Sequence, residues 1–311
     1  MSIHIGIEPT AQCNLRCTYC YSSSKYEYFT QAARTEDLLR GLDALSQLGW
    51  VKHISWSGGE PTLFQDIDLL VQRSKALGFS VSVSTNSSLL FKKRKGTLLI
   101  EQLKVIDVLA ISLDGADPET HNNLRLAVNE KSSNNFRDVL RFLEWYKAQT
   151  EKPFFLKVNT IFTRKNFHAV KAIGHLLQDI PGVLWKLEEF IPRGRGRTNQ
   201  EMLALERNQF LQRVEEIRSE FPSIELDIRL YDGGVYPFLL LLSNGIISMP
   251  EGEKHPAIND VEGNPINLFG SDAVQKLNHW LKDNPWFLEE NQTINSYSRY
   301  QQQPQRCKSS Q

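Results

Sequence analysis

The sequence predicts an α/β protein: a mainly parallel sheet with helices outside it, followed by an α+β extension. Two observations predict this. Short apolar runs alternate with segments of helical period six times over residues 3–197, and such alternation argues for parallel strands joined by crossover helices. After Arg197 the rhythm changes to a helix and then closely spaced strands. A length of 311 residues accommodates one barrel-type domain with an appendage.

Ile3–Glu8 reads as the first strand. Leu38, Leu39, Leu42, Leu45 and Leu48 then recur at helical spacing, with Gly49 as the stop. A strand at His53–Trp56, a helix over Ile67–Leu77 ended by Gly78, a strand at Phe79–Thr85, a short helix near Leu98–Leu103 and a strand at Val108–Leu113 follow. Phe136, Val139, Leu140 and Leu143 lie on one face of the next helix, which Asn134 or Asn135 is placed to cap. A strand at Phe155–Phe162, a helix over Val170–Leu177 and a strand at Leu184–Phe190 complete six β–α pairs. Beyond them, Phe210, Val214, Ile217 and Phe221 mark a helix and Glu225–Leu230 a strand. Val235–Leu242 and Ile246–Met249 flank Ser243-Asn244-Gly245, a hairpin signal, and Ala273–Leu281 forms a last helix. The organisation expected is a core at 1–197, an extension at 198–290 packed on it, and a mobile tail rich in Gln and Ser at 291–311.

Composition narrows the partners. The formal net charge is +0, so no global field draws the chain to nucleic acid or an anionic membrane. The most apolar stretch, around Phe238 to Leu242, is too short to span a bilayer, and the N-terminus lacks the basic start and apolar core of a signal peptide. Clustered cysteines suit a reducing compartment, which makes the cytoplasm the expected location.

Three of the four cysteines, Cys13, Cys17 and Cys20, fall within the run CNLRCTYC; the fourth, Cys307, stands alone near the C-terminus. Three thiolates in C-x3-C-x2-C spacing can hold an iron–sulfur cube and leave one iron open, whereas electron-carrying cubes are closed by four cysteines. A zinc site is the alternative, but structural zinc needs four ligands and His4 and His53 are isolated histidines. The spacing, with aromatic Tyr19 directly before Cys20, resembles the signature of the radical S-adenosylmethionine (radical SAM) superfamily.

Further segments resemble that family's motifs in the right order. The resemblance implies that Ser57-Gly58-Gly59-Glu60-Pro61, after the second strand, meets the amino group of SAM. Ser84, Thr85 and Asn86, at the end of the third strand, would meet its ribose or carboxylate. Ser112-Leu113-Asp114-Gly115 ends the fourth strand, and Arg125 would then pair with SAM's carboxylate, a role that its planar fork suits; relatives often carry arginine followed by glycine where this chain has Arg125-Leu126. Arg193, in the run Pro192-Arg193-Gly194-Arg195-Gly196-Arg197, would be a further contact, although three arginines in five residues also suit an anionic substrate or a solvated loop.

The resemblance implies a (βα)6 partial TIM barrel holding a [4Fe-4S] cluster on Cys13, Cys17 and Cys20. It also implies an external one-electron reductant such as flavodoxin or ferredoxin, and reductive cleavage of SAM to a 5′-deoxyadenosyl radical that takes a hydrogen atom from substrate. Glu188, Glu189 and Tyr231 are candidates for handling the substrate radical. No cysteine lies between Cys20 and Cys307, which leaves nothing to hold an auxiliary cluster. A peptide or small-molecule substrate and a nucleotide, the latter as in viperin-like dehydratases, stay open. In the viperin-like reading Glu253-Lys254-His255 would lie over the barrel mouth. A non-catalytic zinc or thiol module is the alternative of another class.

Overall fold

A computed structural model of the chain describes residues 3–21, 32–128, 134–231, 238–250 and 256–287. In chain order the elements are β1 (Ile3–Ile7), β2 (Leu15–Cys17), α1 (Thr35–Ser46), β3 (Val51–Trp56), α2 (Ile67–Ala76), β4 (Ser80–Thr85), β5 (Lys93–Arg94), β6 (Thr97–Leu98), α3 (Leu99–Gln102), β7 (Val108–Ser112), α4 (Pro118–Leu124) and β8 (Arg125–Ala127). There follow α5 (Asn135–Ala148), β9 (Phe155–Phe162), α6 (Val170–Leu177), β10 (Leu184–Glu189), α7 (Arg195–Thr198), α8 (Gln200–Leu203), α9 (Arg207–Glu220), β11 (Glu225–Arg229), β12 (Leu239–Leu241), β13 (Ile247–Ser248) and α10 (Ala273–Asp283).

Nine strands form one sheet in the order β11-β10-β9-β7-β4-β3-β1-β12-β13. Every neighbouring pair is parallel except β12 with β13. Six strands (β1, β3, β4, β7, β9, β10) therefore lie side by side in chain order, the arrangement of a (βα)6 partial barrel.

Burial explains the layering. Ile3, Ile5 and Ile7 of β1 and Leu38, Leu42 and Leu45 of α1 are all buried in one apolar layer between strands and helices. The period of two along the strands meets the 3.6-residue period of the helices there. Close helix packing is enforced at Gly174 of α6, where a Cβ would lie 2.3 Å from the Phe221 ring that ends α9. On the concave face the strands are polar: Ser84, Ser112, Lys157, Asn159 and Lys186 line a cavity.

The Asn-Gly hairpin forms with Gly245 at φ +86°, joining β12 to β13. Its first strand also extends the main sheet, pairing parallel with β1 at Ile5↔Leu239. Part of the predicted run Val235–Leu242 lies outside the described residues, as do Glu253, Lys254, His255, Cys307 and the 291–311 tail. Several short elements have no counterpart in the periodicity reading, and two of them bear on the site. Helix α4 starts where the Asp117 side chain accepts the Thr120 N–H at 2.8 Å, with Pro118 in the first turn. The short β2 strand, inside the cysteine loop, pairs antiparallel with β8, placing Cys17 opposite Arg125.

Candidate active site

The cysteine loop leaves β1 and folds back over the C-terminal ends of the strands. Two backbone bonds hold it: Gly59 N–H donates to Thr10 O at 3.0 Å and Glu60 N–H to Gln12 O at 2.8 Å. Their closeness accounts for both glycines. Gly58 has φ +115°, and a Cβ on Gly59 would stand 2.1 Å from Gln12 O. The two glycines thus admit the cysteine loop itself.

Glu60 is buried, and its carboxylate is held by four donors. Oε1 accepts from Thr62 N (3.0 Å), Thr62 Oγ1 (2.5 Å) and Thr85 Oγ1 (2.7 Å), and Oε2 accepts from Asn86 N (2.7 Å). Burial raises its pKa, and these bonds oppose the rise. Asn86 Nδ2 donates in turn to Asn14 Oδ1 at 2.8 Å, tying the end of β4 to the cysteine loop. Pro61 opens a short helical turn (Pro61–Leu63) behind Glu60 and lies off the cavity wall.

Asp114 is the second buried carboxylate. Tyr19 Oη donates to its Oδ2 at 2.5 Å, Arg125 Nη1 donates to the same oxygen at 3.0 Å, and Ile161 N–H donates to Oδ1 at 3.0 Å. Arg125 Nη1 also bonds Tyr19 Oη, and its Nε donates to Asn135 Oδ1 at 3.1 Å. Asp114 N–H donates to His121 Nδ1 at 3.2 Å, so the ring proton sits on Nε2, bonded to Asn135 Oδ1 at 3.0 Å. Burial pushes the Tyr19 phenol well above its ordinary range, which keeps it a donor. The resemblance implied that Arg125 pairs with SAM's carboxylate; in the structure its guanidinium bonds Asp114 and Tyr19, and the three anchor the loop across β2–β8.

The arginine run divides differently from the sequence reading. Arg193 is buried off the cavity wall, its guanidinium 5.2 Å from the Tyr231 ring centroid. Arg195 reaches the cavity instead: its Nε donates to Cys17 O at 3.0 Å and its backbone N–H to Cys20 O at 3.2 Å. The turn geometry decides this, because Gly194 at φ +52° swings the chain under the loop.

These parts meet at one cavity of about 310 Å³. Its walls include Cys13, Cys17 and Cys20, then Gly58, Gly59 and Glu60, then Ser84, Thr85, Asn86 and Ser112, beside Tyr19, Asp114 and Arg125. The cysteines carry thiols, and burial pushes Cys13 up to about 12 and raises Cys17 as well. Bound cationic metal offsets such a cost, since coordinated thiols lose their protons. Three thiols on one cavity wall are the donor type that iron–sulfur clusters take, and the residues present fit such a group.

Polar residues that the sequence alone did not single out lie on the far wall: Lys157 and Asn159 (β9) and Lys186 (β10) face the cavity, beside Glu188 and Glu189, which the sequence did name. Lys157 Nζ meets Asp227 at 3.1 Å and Lys186 Nζ meets Glu188 at 2.9 Å; Glu189 is clamped by Arg207 at 2.8 Å. Burial lowers the pKa of Lys157, opposed by Asp227. The available signal was the polar period of two in FLKVNTIF, on a strand that a doubly covered parallel sheet would make apolar throughout.

A partial barrel with a three-cysteine loop over its strand ends defines the class, and comparison with known proteins agrees. The model of the Radical SAM superfamily matches residues 7–167, and the chain belongs to that superfamily. It is 26% identical over 218 residues to an AdoMet-dependent heme synthase of Methanosarcina barkeri, covering 70% of this chain and 58% of that one. It is 24% identical over 203 residues to an S-adenosylmethionine-dependent nucleotide dehydratase of Flammeovirga pacifica, covering 64% of this chain and 66% of that one. The chain thus spans less than two thirds of either relative. The fold matches anSMEcpe, solved with AdoMet and the Kp18Cys peptide, at a TM-score of 0.68 and 16% identity, covering 94% of this chain and 84% of that one. No helix among the described residues is long and apolar enough to cross a membrane.

Proposed function

We propose that this chain is a radical SAM enzyme whose Cys13, Cys17 and Cys20 hold a [4Fe-4S] cluster and whose cavity binds S-adenosylmethionine beside it. One observation carries the reading: the three thiols and the Gly58-Gly59-Glu60 segment, 38 residues or more apart in sequence, share the wall of one cavity at the strand ends. Bound there, cluster and cofactor supply a one-electron reductive cleavage that yields a 5′-deoxyadenosyl radical for hydrogen abstraction.

The residues of this chain do the placing. Glu60, fixed by its four donors, offers its carboxylate to an ammonium group, and Ser84, Thr85, Asn86 and Ser112 offer short polar contacts. Tyr19, Asp114 and Arg125 hold the cysteine loop at fixed height over the strands, while Arg195 closes its outer side. Such positioning is what a protein contributes to cofactor chemistry. Residues 1–197 form the catalytic core and 198–290 the extension in this reading, working in the cytoplasm with an external flavodoxin- or ferredoxin-like reductant on a peptide or small molecule. The relatives' names favour small molecules; a nucleotide is one of them.

Anaerobic reconstitution with iron and sulfide, then dithionite and SAM, tests the proposal. Brown absorption and release of 5′-deoxyadenosine are expected, and Cys17→Ala is expected to abolish both while circular dichroism is retained. Activity surviving in Cys17→Ala would overturn the ligand assignment, and a colourless protein that binds zinc would favour the non-catalytic module.

A further inference from the structure

The far wall of the cavity asks for a partner that the cofactor site does not supply. Strand register lines up Ser112 (β7), Asn159 (β9), Lys186 (β10) and Asp227 (β11) in one row across four parallel strands. The row begins at Ser112, among the residues proposed for SAM, and runs away from the cysteine loop toward the extension. Three of its members point a polar group into the cavity. Lys157 lies two residues before Asn159 on the same face, a strand spacing of ~7 Å.

Two independent features mark this wall as a recognition surface. First, Asn159 Oδ1 is buried with no hydrogen-bond partner. Buried acceptors are nearly always satisfied, and one left open at a cavity wall awaits a donor from outside the chain. Second, the charges are placed for use rather than stability. Lys157, Lys186 and Arg229 all act on Asp227, lowering its pKa against the opposing effect of burial. Asp227 stands behind the wall while both lysines form part of it. Lys186 and Glu188 are a partly buried pair two residues apart on one strand, their side chains 21% and 24% exposed, and a single pair of this kind is weak evidence for stability. A buried pair such as Lys157–Asp227 is likewise weak evidence for stability.

We propose that the concave face of β9 and β10 recognises an anionic substrate group, carboxylate or phosphate, through the ammonium heads of Lys157 and Lys186, with Asn159 Oδ1 accepting an N–H or O–H beside that group. Strand β11 supports the site, because its Asp227 fixes the deeper lysine from behind. Because the row starts at Ser112, the anion anchors the far end of a substrate whose near end lies next to the cofactor. The assignment rests on the radical SAM reading for the identity of the near end only.

The test uses the anaerobically reconstituted holoenzyme with SAM and measures binding by calorimetry. Tripolyphosphate probes phosphate, citrate probes carboxylate, and spermidine probes the opposite charge preference. Saturable binding of one of the two anions is expected, weakened by salt. Lys186→Gln should weaken it about tenfold, the loss of one charge-assisted hydrogen bond, whereas Lys52→Gln, on an exposed outer position of β3, should leave it unchanged. Tripolyphosphate alone binding identifies a phosphate site and citrate alone a carboxylate site. Equal affinity in wild type and Lys186→Gln, binding of neither anion, or preference for spermidine would overturn the proposal. Release of 5′-deoxyadenosine in the same preparation separates the two readings: release without anion binding overturns only this inference, and absence of release and of brown colour overturns the proposed function.

Discussion

The two walls of the cavity are built on opposite plans. On the cysteine side the buried carboxylates Glu60 and Asp114 are enclosed by donors from five segments of the chain. On the β9–β11 side the charges meet one another in ion pairs, with Lys157 and Arg229 sharing Asp227, and one buried amide oxygen accepts nothing. A network in which each polar group is satisfied has one geometry and is costly to disturb. Ion pairs at a cavity wall can exchange partners at small cost. The difference teaches that a cofactor of fixed shape and a substrate of particular chemistry are served by different physics on one sheet.

The largest effect is expected where the closed wall leaves no room. In Gly59→Ala the new Cβ would meet Gln12 O at 2.1 Å and Ala11 O at 2.5 Å, both backbone atoms that cannot turn aside. A penalty of about 3 kcal/mol or more falls on the cysteine loop alone. Iron content per chain after reconstitution should drop severalfold, with the far-ultraviolet spectrum unchanged. Full iron loading in Gly59→Ala would show that the loop is looser than its bonds indicate.

Acid should expose the same rigidity. Burial, the leading cause for both, lowers His4 and His121 to about 4. In the unfolded chain these rings titrate near 6.5, so between pH 6.5 and 4 the unfolded state binds protons that the native state refuses. Their contribution is complete above pH 6.5 and is lost as pH falls toward 4. At pH 5 the loss is about 2 kcal/mol for each ring. His53, which burial holds well below its ordinary value, adds to the loss; urea unfolding of the metal-free protein at pH 7 and pH 5 measures the sum, and His4→Gln should remove about a third of the difference. A flat profile would mean that the rings take up protons in the native fold.

Much of this was legible in the sequence, for identifiable reasons. Strand and helix positions followed from periodicity because both periods are strong where a parallel sheet is covered by helices, as in Ile3, Ile5 and Ile7 against Leu38, Leu42 and Leu45. The cysteine and Gly-Gly-Glu segments announced themselves by composition. What sequence could not show was which polar head meets which. Tyr19 and Asp114 are 95 residues apart and touch only because β2 pairs with β8, two strands of three residues that carry no periodic signal. Arg195 rather than Arg193 reaches the loop because of one glycine's backbone angle, which composition does not encode. The lysines of β9 and β10 were hidden by a rule of thumb that expects such strands to be apolar.

The open wall should respond differently. Asp227→Asn leaves Lys157, only 5% exposed at its side chain, without the carboxylate 3.1 Å away. Breaking one partner of a buried pair costs about 3 kcal/mol, and removing both partners restores much of it. A Lys157→Met, Asp227→Leu double variant should therefore unfold near the wild-type urea midpoint, and one as unstable as Asp227→Asn would mean that the pair is structural glue.

Asn159→Ala is expected to be the mildest change to the fold. Its Oδ1 bonds nothing in the chain, so truncation removes no protein acceptor, and the urea midpoint should move by no more than about 0.5 kcal/mol equivalent. Asn86→Ala, on the closed wall, removes an amide that donates to Asn14 and accepts from Ser88, and should cost at least ~1 kcal/mol. If the two variants lose equal stability, the walls share one plan after all. If Asn159→Ala keeps its stability but turns over substrate more slowly than wild type at equal rates of SAM cleavage, the amide is there for the substrate.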